Sequence, residues 1–162
     1  MKEMKKVLES NMKIRFHDCD PFNHLNNSRY IDYFMTARGD QLIENYDFDI
    51  YQLAKEKGLG WVSAQTQVAY LRPAFVMEEV TIQTQLIAFS EKSLLLEAIM
   101  WDIEKQHIKA VMWTTLVHFD ILQQKSLRHT DELTTLFQQI VNPPEVAVGF
   151  EERVKQLRPV KV

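Results

Sequence analysis

"DPFNHLNNSRYIDYFMTARGDQLIENY", residues Asp20 to Tyr46, changes character part-way along, and that change decides how the rest of the chain is read. Its opening, "DPFNHLNN", has the composition of a turn: Pro21 fixes one φ angle, and the asparagines suit loops and helix caps. From about Asn27 the apolar period becomes helical. Tyr30, Phe34, Arg38, Leu42 and Tyr46 recur every four residues, with Ile31, Met35 and Ile43 beside them. This predicts one long amphipathic helix with a broad apolar stripe. Gly39 inside it costs about 1 kcal/mol relative to Ala, which implies that something packs closely there. Arg38 lies on the apolar stripe, either as a buried ion-pair partner or as a side chain that snorkels to water.

Working outward, "MKIRFHD" (Met12 to Asp18) alternates moderately and predicts a first strand. "IYQLAKEKG" predicts a short helix ending on Gly58, a good C-cap. The period then becomes two. In "WVSAQTQVAYLRPA", Val62, Ala64, Val68 and Tyr70 fall on one face and Ser63, Gln65 and Gln67 on the other. "EEVTIQTQLIAF", "SLLLEAIMWDI" and "HIKAVMWTTLVHF" follow, with "SEKS" and "EKQ" as turns between them. The last is apolar on both faces, so it is covered on both sides. The long helix covers one, and a second copy of the chain is expected over the other. "DELTTLFQQI" predicts another short helix, stopped by "NPPE" and followed by an extended tail. The expected architecture is α+β: a curled antiparallel sheet of about five strands, a first strand and then a four-strand meander, wrapped around the helix. Residues 1–140 form the single domain and 141–162 a C-terminal extension.

The 162 residues leave room for one domain. A net charge of −3 weighs against nucleic acid as a partner, since phosphate binding needs concentrated Lys and Arg. No apolar run approaches the roughly 20 residues of a membrane span, and no signal peptide is visible. One cysteine cannot form an internal disulfide, so cytoplasm is the expected compartment. Four glycines supply no phosphate-cradling loop.

The polar loop therefore sits between a strand and the start of a long helix. A helix start presents unpaired N–H groups carrying partial positive charge, and Asn26 or Asn27 is its natural cap. Such an end stabilises an oxygen on which negative charge develops, and a carboxylate beside it, Asp20, can serve as base or nucleophile in acyl transfer. Other readings stand next to this one. His17, Asp18, Cys19, Asp20 and His24 are possible metal ligands, although strand parity splits them. Cys19 with His24 is a possible nucleophile pair, but a lone cysteine is more often a small buried hydrophobe. Capping and turn formation alone also account for these residue types. Asp18 is structural under either view, holding loop backbone or Arg15.

At these residues, "DCDPFNHLNNSRYIDYF" resembles the Asp-x-Asp-x-x-x-His-x-Asn-Asn-x-x-Tyr pattern of the hot-dog-fold acyl-CoA thioesterases of the 4-hydroxybenzoyl-CoA thioesterase-like superfamily. "VAYLRPAFVMEEVTIQT" is similar to its Tyr-x-x-Pro followed by an acidic strand entry, and the likeness covers about residues 12 to 135. The resemblance implies a hot-dog fold and hydrolysis of an acyl-CoA or acyl carrier protein thioester, coenzyme A being part of the substrate and no cofactor being needed. It makes Asp20 the catalytic carboxylate, Asn27 the source of a backbone N–H on the carbonyl, and His24 a loop or substrate hydrogen-bonder. Asn23 and Tyr30 fall at substrate-binding positions, and Lys92 falls where related proteins meet coenzyme A phosphates. Some relatives carry an acid on a later strand, where this chain has Pro73. A homodimer or homotetramer with sites across the interface is implied as well. Rival activities are a hot-dog hydratase or dehydratase using Asp20 and His24, and a non-catalytic acyl-CoA binding module.

Overall fold

An antiparallel sheet curls around one long helix in the computed structural model, which describes residues 3–158. Its strands are β1 (Leu8–Lys13), β2 (Leu59–Tyr70), β3 (Glu79–Phe89), β4 (Ser93–Asp102), β5 (Ile108–Asp120) and the short β6 (Lys125–Ser126). The helices are α1 (Tyr30–Tyr46), α2 (Ile50–Lys57), α3 (Asp131–Ile140) and α4 (Phe150–Leu157). Strand order is β1-β3-β4-β5-β2, with β6 paired to the end of β5.

The apolar stripe of α1 buries Tyr30, Tyr33, Phe34 and Ala37. Opposite them stand Val80 and Ile82 of β3, Ala98 and Met100 of β4, and Ala110 and Met112 of β5. These are alternate residues on each strand, so the period of two has put one face of the sheet against the helix. Gly39 is where α2 meets α1, because a Cβ built there would lie 2.7 Å from the Tyr51 hydroxyl. The close packing expected at this glycine is present. Gly58 caps α2 with φ +65°, and Leu122 sits against it.

Three expectations are corrected. The first strand is Leu8–Lys13, not Met12–Asp18, and Phe16–Asp18 form a 3-10 turn. β1 pairs with β3 from Leu8↔Thr84 to Lys13↔Glu79, and β3 begins at Glu79, so the chain beyond Lys13 has no ladder to continue. The four later strands are not one meander. β3, β4 and β5 are, but β2 lies on the far side of β5 and β1 takes the free edge of β3. A register shift between Ser63 and Gln65 also flips the faces of β2, bringing the Ser63, Thr66 and Thr114 hydroxyls together at 2.9–3.0 Å.

The third correction concerns the outer face. Ile99 and Val111 point away from α1, as the two-sided apolar pattern required, but their cover comes from the same chain. The segment expected to be an extended tail contains α4, which lays Phe150, Val154 and Leu157 on that face. Arg153 of α4 forks onto Glu97 of β4, Nε to Oε2 at 2.8 Å and Nη2 to Oε1 at 2.9 Å. Gln85 and Trp113 donate to the same carboxylate, which is 1% exposed. Burial alone would raise the Glu97 pKa; the bonds from Arg153, Trp113 and Gln85 outweigh it and hold the group below its ordinary value.

Candidate active site

Past β1 the chain folds back on itself in a tight turn. Asp20 N–H donates to His24 O at 2.8 Å and Asn23 N–H to Asp20 O at 3.0 Å. Asn23 occupies the left-handed region at φ 62°, which asparagine tolerates better than most residues. Leu25 N–H then donates to Ala74 O, tying the loop to the segment between β2 and β3. The Asp20 carboxylate is held by one oxygen only: Oδ1 accepts the N–H groups of Phe22 at 2.8 Å and His24 at 3.1 Å. Oδ2 accepts from no donor among the described residues. Asp20 lines a cleft of about 210 Å³ together with His24, Asn27 and Tyr30, and with Tyr70, Arg72 and Pro73 from the end of β2 and the segment after it.

The helix start faces the same cleft. Asn26 is the cap: its Oδ1 accepts Ser28 N–H at 3.1 Å and its carbonyl accepts Arg29 N–H at 2.8 Å. Residues Asn27–Arg29 form a 3-10 turn leading into α1. The N–H of Asn27 has no acceptor among the described residues. Its carbonyl accepts the Tyr70 hydroxyl at 2.9 Å, and Tyr70 meets Tyr30 edge-on with ring centroids 5.1 Å apart. Asn27, the residue that presents this N–H, is thus tied through its carbonyl to the neighbouring strand. Burial raises the pKa of the Tyr30 hydroxyl, which stays protonated at neutral pH.

The other candidates of the loop do not converge on the cleft. Asp18 Oδ2 accepts the Tyr33 hydroxyl at 2.6 Å, and that hydroxyl accepts Arg15 N–H at 3.0 Å. Asp18 therefore holds loop backbone as expected, through Tyr33 and not through the Arg15 guanidinium. It lines a separate hollow with Arg15 and Asp32. The Cys19 thiol donates to Arg15 O at 3.4 Å, and burial, with Asp18 and Asp20 nearby, pushes its pKa up. Nothing there generates a thiolate. Among the described residues no three His, Cys, Asp or Glu groups converge as a metal site. The His24 ring packs edge-on against Phe75, centroids 5.1 Å apart. Asn23 serves the turn and does not line the cleft. Lys92 sits on the β3–β4 turn, at the other end of the sheet, with Nζ 3.4 Å from Ser126 Oγ. The cation that does line the cleft is Arg72, exposed and without an acidic partner among the described residues. Tyr70 and Arg72 both lie within "VAYLRPAF", a stretch whose signal in sequence was its tyrosine–proline spacing alone.

A second, apolar cavity of about 250 Å³ lies between α1, α2, α3 and the concave sheet face, walled by Met35, Leu42, Trp61, Leu86, Leu116 and Phe137 among others. It shares no lining residue with the Asp20 cleft, but α1 walls both, through Tyr30 for the cleft and Met35, Arg38, Gly39 and Leu42 for the cavity.

A long helix cradled in a curled antiparallel sheet of this order is the hot-dog fold. The chain belongs to the Thioesterase-like superfamily, whose family model matches residues 14–150. It is 29% identical over 134 residues to the long-chain acyl-CoA thioesterase FadM of Escherichia coli strain K12, spanning 83% of this chain and 99% of that protein. The crystal structure of YbaW, a probable thioesterase from Escherichia coli, superposes with a TM-score of 0.69 at 27% identity, covering 83% of this chain and 99% of that one. SAV2348 from Staphylococcus aureus, determined in complex with CoA, shares the fold with a TM-score of 0.76 at 10% identity, covering 100% and 99%. Among the described residues no helix is long and apolar enough to cross a membrane.

Proposed function

We propose that this chain hydrolyses acyl-CoA thioesters, releasing a free acid and a thiol, with the Asp20 cleft as the reaction site. The observation that carries this reading is that one cleft is lined both by Asp20, whose Oδ2 accepts from no donor among the described residues, and by Asn27, whose helix-start N–H meets no acceptor among them. A thioester carbonyl oxygen placed on that N–H would gain negative charge where it is stabilised. Asp20 Oδ2 would either take a proton from the attacking water or attack the carbon itself; the C–S bond breaks and the thiolate leaves, to be protonated to free thiol, and in the second route water then hydrolyses the acyl–aspartyl anhydride to free acid and Asp20. A thioester is already activated, so this chemistry calls for no metal or cofactor. Arg72 on the rim suits the phosphates of coenzyme A or of an acyl carrier protein's pantetheine.

The acyl group, on this reading, runs along α1 into the apolar cavity. FadM of Escherichia coli is a long-chain acyl-CoA thioesterase, and a cavity lined mostly by apolar side chains would take an acyl chain here as well. A second copy of the chain completes the assembly at β2. This edge strand is 12 residues long, pairs on one side only among the described residues and contains no charged residue. Natural edges of that length are ordinarily blunted by charge, proline or cover. The single thiol fits the cytoplasm, where cysteines stay reduced.

The test is thiol release from a panel of acyl-CoA and acyl carrier protein thioesters. Wild type should release thiol from at least one acyl class, and Asp20→Asn should lose on the order of a hundredfold or more in turnover while remaining folded. Full activity of Asp20→Asn would overturn the assignment. A change in the acyl double bond without thiol release would make the protein a hydratase or dehydratase, and tight binding without either would make it a carrier.

A further inference from the structure

Thioester hydrolysis leaves Arg38 without a task. The residue lies mid-way along α1 in the wall of the apolar cavity and is 7% exposed. Its Nη1 donates to Thr84 Oγ1 at 2.9 Å. The Thr84 hydroxyl is itself committed as a donor to Gln41, whose amide donates to Ser10 Oγ and Ile82 O. A guanidinium carries five N–H donors. Among the described residues this is its one hydrogen bond, and no carboxylate pairs with it. Nor are its other donors sealed in protein, because among the described residues the buried side-chain N or O lacking a partner is His118 Nε2. The remaining N–H groups of Arg38 therefore keep some accessible surface, and the residue itself lines the cavity, together with Met35, Leu42, Leu86 and Leu96.

A permanent charge in such a wall changes what the cavity accepts. Without an acyl chain, water entering the cavity would hydrate the guanidinium. A plain alkyl chain long enough to reach it displaces that water and leaves a charge buried without a partner, which is costly. A chain that ends in a carboxylate replaces the water with a charge-assisted hydrogen bond. We propose that Arg38 is a specificity determinant for the far end of the acyl group: the cavity favours acyl chains ending in a carboxylate and discriminates against plain alkyl chains long enough to reach the guanidinium. From Tyr30 in the reaction cleft to Arg38 is about 12 Å along the helix axis, so only chains of at least medium length feel the effect. The inference rests on the thioesterase reading and on the tail entering this cavity.

The experiment compares kcat/KM for matched pairs of plain and ω-carboxy acyl-CoA thioesters, from octanoyl to hexadecanoyl, on wild type, Arg38→Met and Arg38→Lys. Wild type should favour the ω-carboxy member by about tenfold or more once the chain is long enough, a lower bound for a site that bonds a polar group and rejects the analogue lacking it. In Arg38→Met the preference should invert, long plain chains gaining and ω-carboxy chains losing, while Arg38→Lys should keep the wild-type order. A role confined to tying α1 to Thr84 would lower stability and leave the ratio unmoved. Equal kcat/KM within every wild-type pair overturns the proposal, and it does so even if Arg38→Met does not fold. If no thioester is hydrolysed, the thioesterase reading has failed instead. Calorimetric affinities of the same pairs for wild type then decide the Arg38 assignment: tighter ω-carboxy binding upholds it and equal affinity overturns it.

Discussion

Asp18 and Asp20, two residues apart, serve different masters: Asp18 Oδ2 is taken by the Tyr33 hydroxyl at 2.6 Å, while Asp20 lines the cleft with an Oδ2 that accepts from no donor among the described residues. The 3-10 turn Phe16–Asp18 breaks strand alternation between them and sends them into separate hollows. The two asparagine variants should accordingly part company. Asp18→Asn exchanges the charged acceptor of the Tyr33 hydroxyl for a neutral one and should lose about 1 kcal/mol of stability, the difference between a charged and a neutral hydrogen bond, while keeping most of its kcat. Asp20→Asn should melt near wild type, since an amide oxygen can still accept from Phe22 and His24, and lose turnover. Thermal melts read alongside a thiol-release assay check both halves.

The Glu97–Arg153 fork should matter more to stability than any surface ion pair. Arg153→Met removes the principal cation from a carboxylate that is 1% exposed, and breaking a buried pair from one side typically costs about 3–5 kcal/mol. Glu97 is held below its ordinary value in the folded protein, so its contribution is present above the unfolded pKa and lost as pH falls through the folded one. Proteolytic nicking between α3 and α4 should therefore become fast in Arg153→Met at neutral pH, and in wild type only under acid conditions, below about pH 4.5, the ordinary range of the group. Equal nicking rates of the two proteins at pH 7 would contradict this.

His118 and His129 set a second, milder acid threshold. Their rings stack with centroids 5.2 Å apart, and His129 Nε2 accepts from Trp61 Nε1 at 3.1 Å. Burial lowers the pKa of both. The unfolded chain takes up protons at these histidines as pH drops below about 6.5, before the folded protein does, so stability should decline from there downward. The melting temperature should fall between pH 7.5 and 5.5, and His118→Gln should flatten that slope. An identical slope in the variant would assign the effect to other groups.

Charge placed on the β2 edge should split the assembly. Gln65 and Gln67 are exposed on that strand, and Lys at both positions would set like charges against each other across a two-fold pair. Sedimentation should show wild type as a dimer or larger and Gln65→Lys/Gln67→Lys shifted to monomer. A wild-type monomer at micromolar concentration would remove β2 as the docking edge.

Much of this fold could be read from residue spacing, and the places where it could not share a cause. Tyr30, Phe34 and Arg38 repeat at the helical period and Val80, Ile82, Ala98 and Met100 at the strand period, so α1 and the meander β3–β5 declared themselves. What spacing does not carry is pairing. That β1 stops at Lys13 depends on where β3 starts, and that β2 joins β5 instead of β3 depends on the long connection around α1 and α2. The helix α4 did leave a signal, Phe150, Val154 and Leu157 on one face, but eight residues after a proline pair are easily taken for tail. In the cleft, Asp20, His24, Asn27 and Tyr30 were legible because one loop carries them all. Tyr70 and Arg72 arrive from a strand end some forty residues later, and only the folded chain brings them to the cleft that Asp20 lines.

The family match ends at residue 150, where α4 begins. A version of the protein trimmed to that shared portion would keep every residue of the cleft and discard the guanidinium that neutralises Glu97. Its outer sheet would then show water a strip of Ile99 and Val111 around an orphaned acid. Such a minimal enzyme should be sticky and short-lived although its chemistry is intact, which makes the last helix the part of this chain that decides its lifetime in solution.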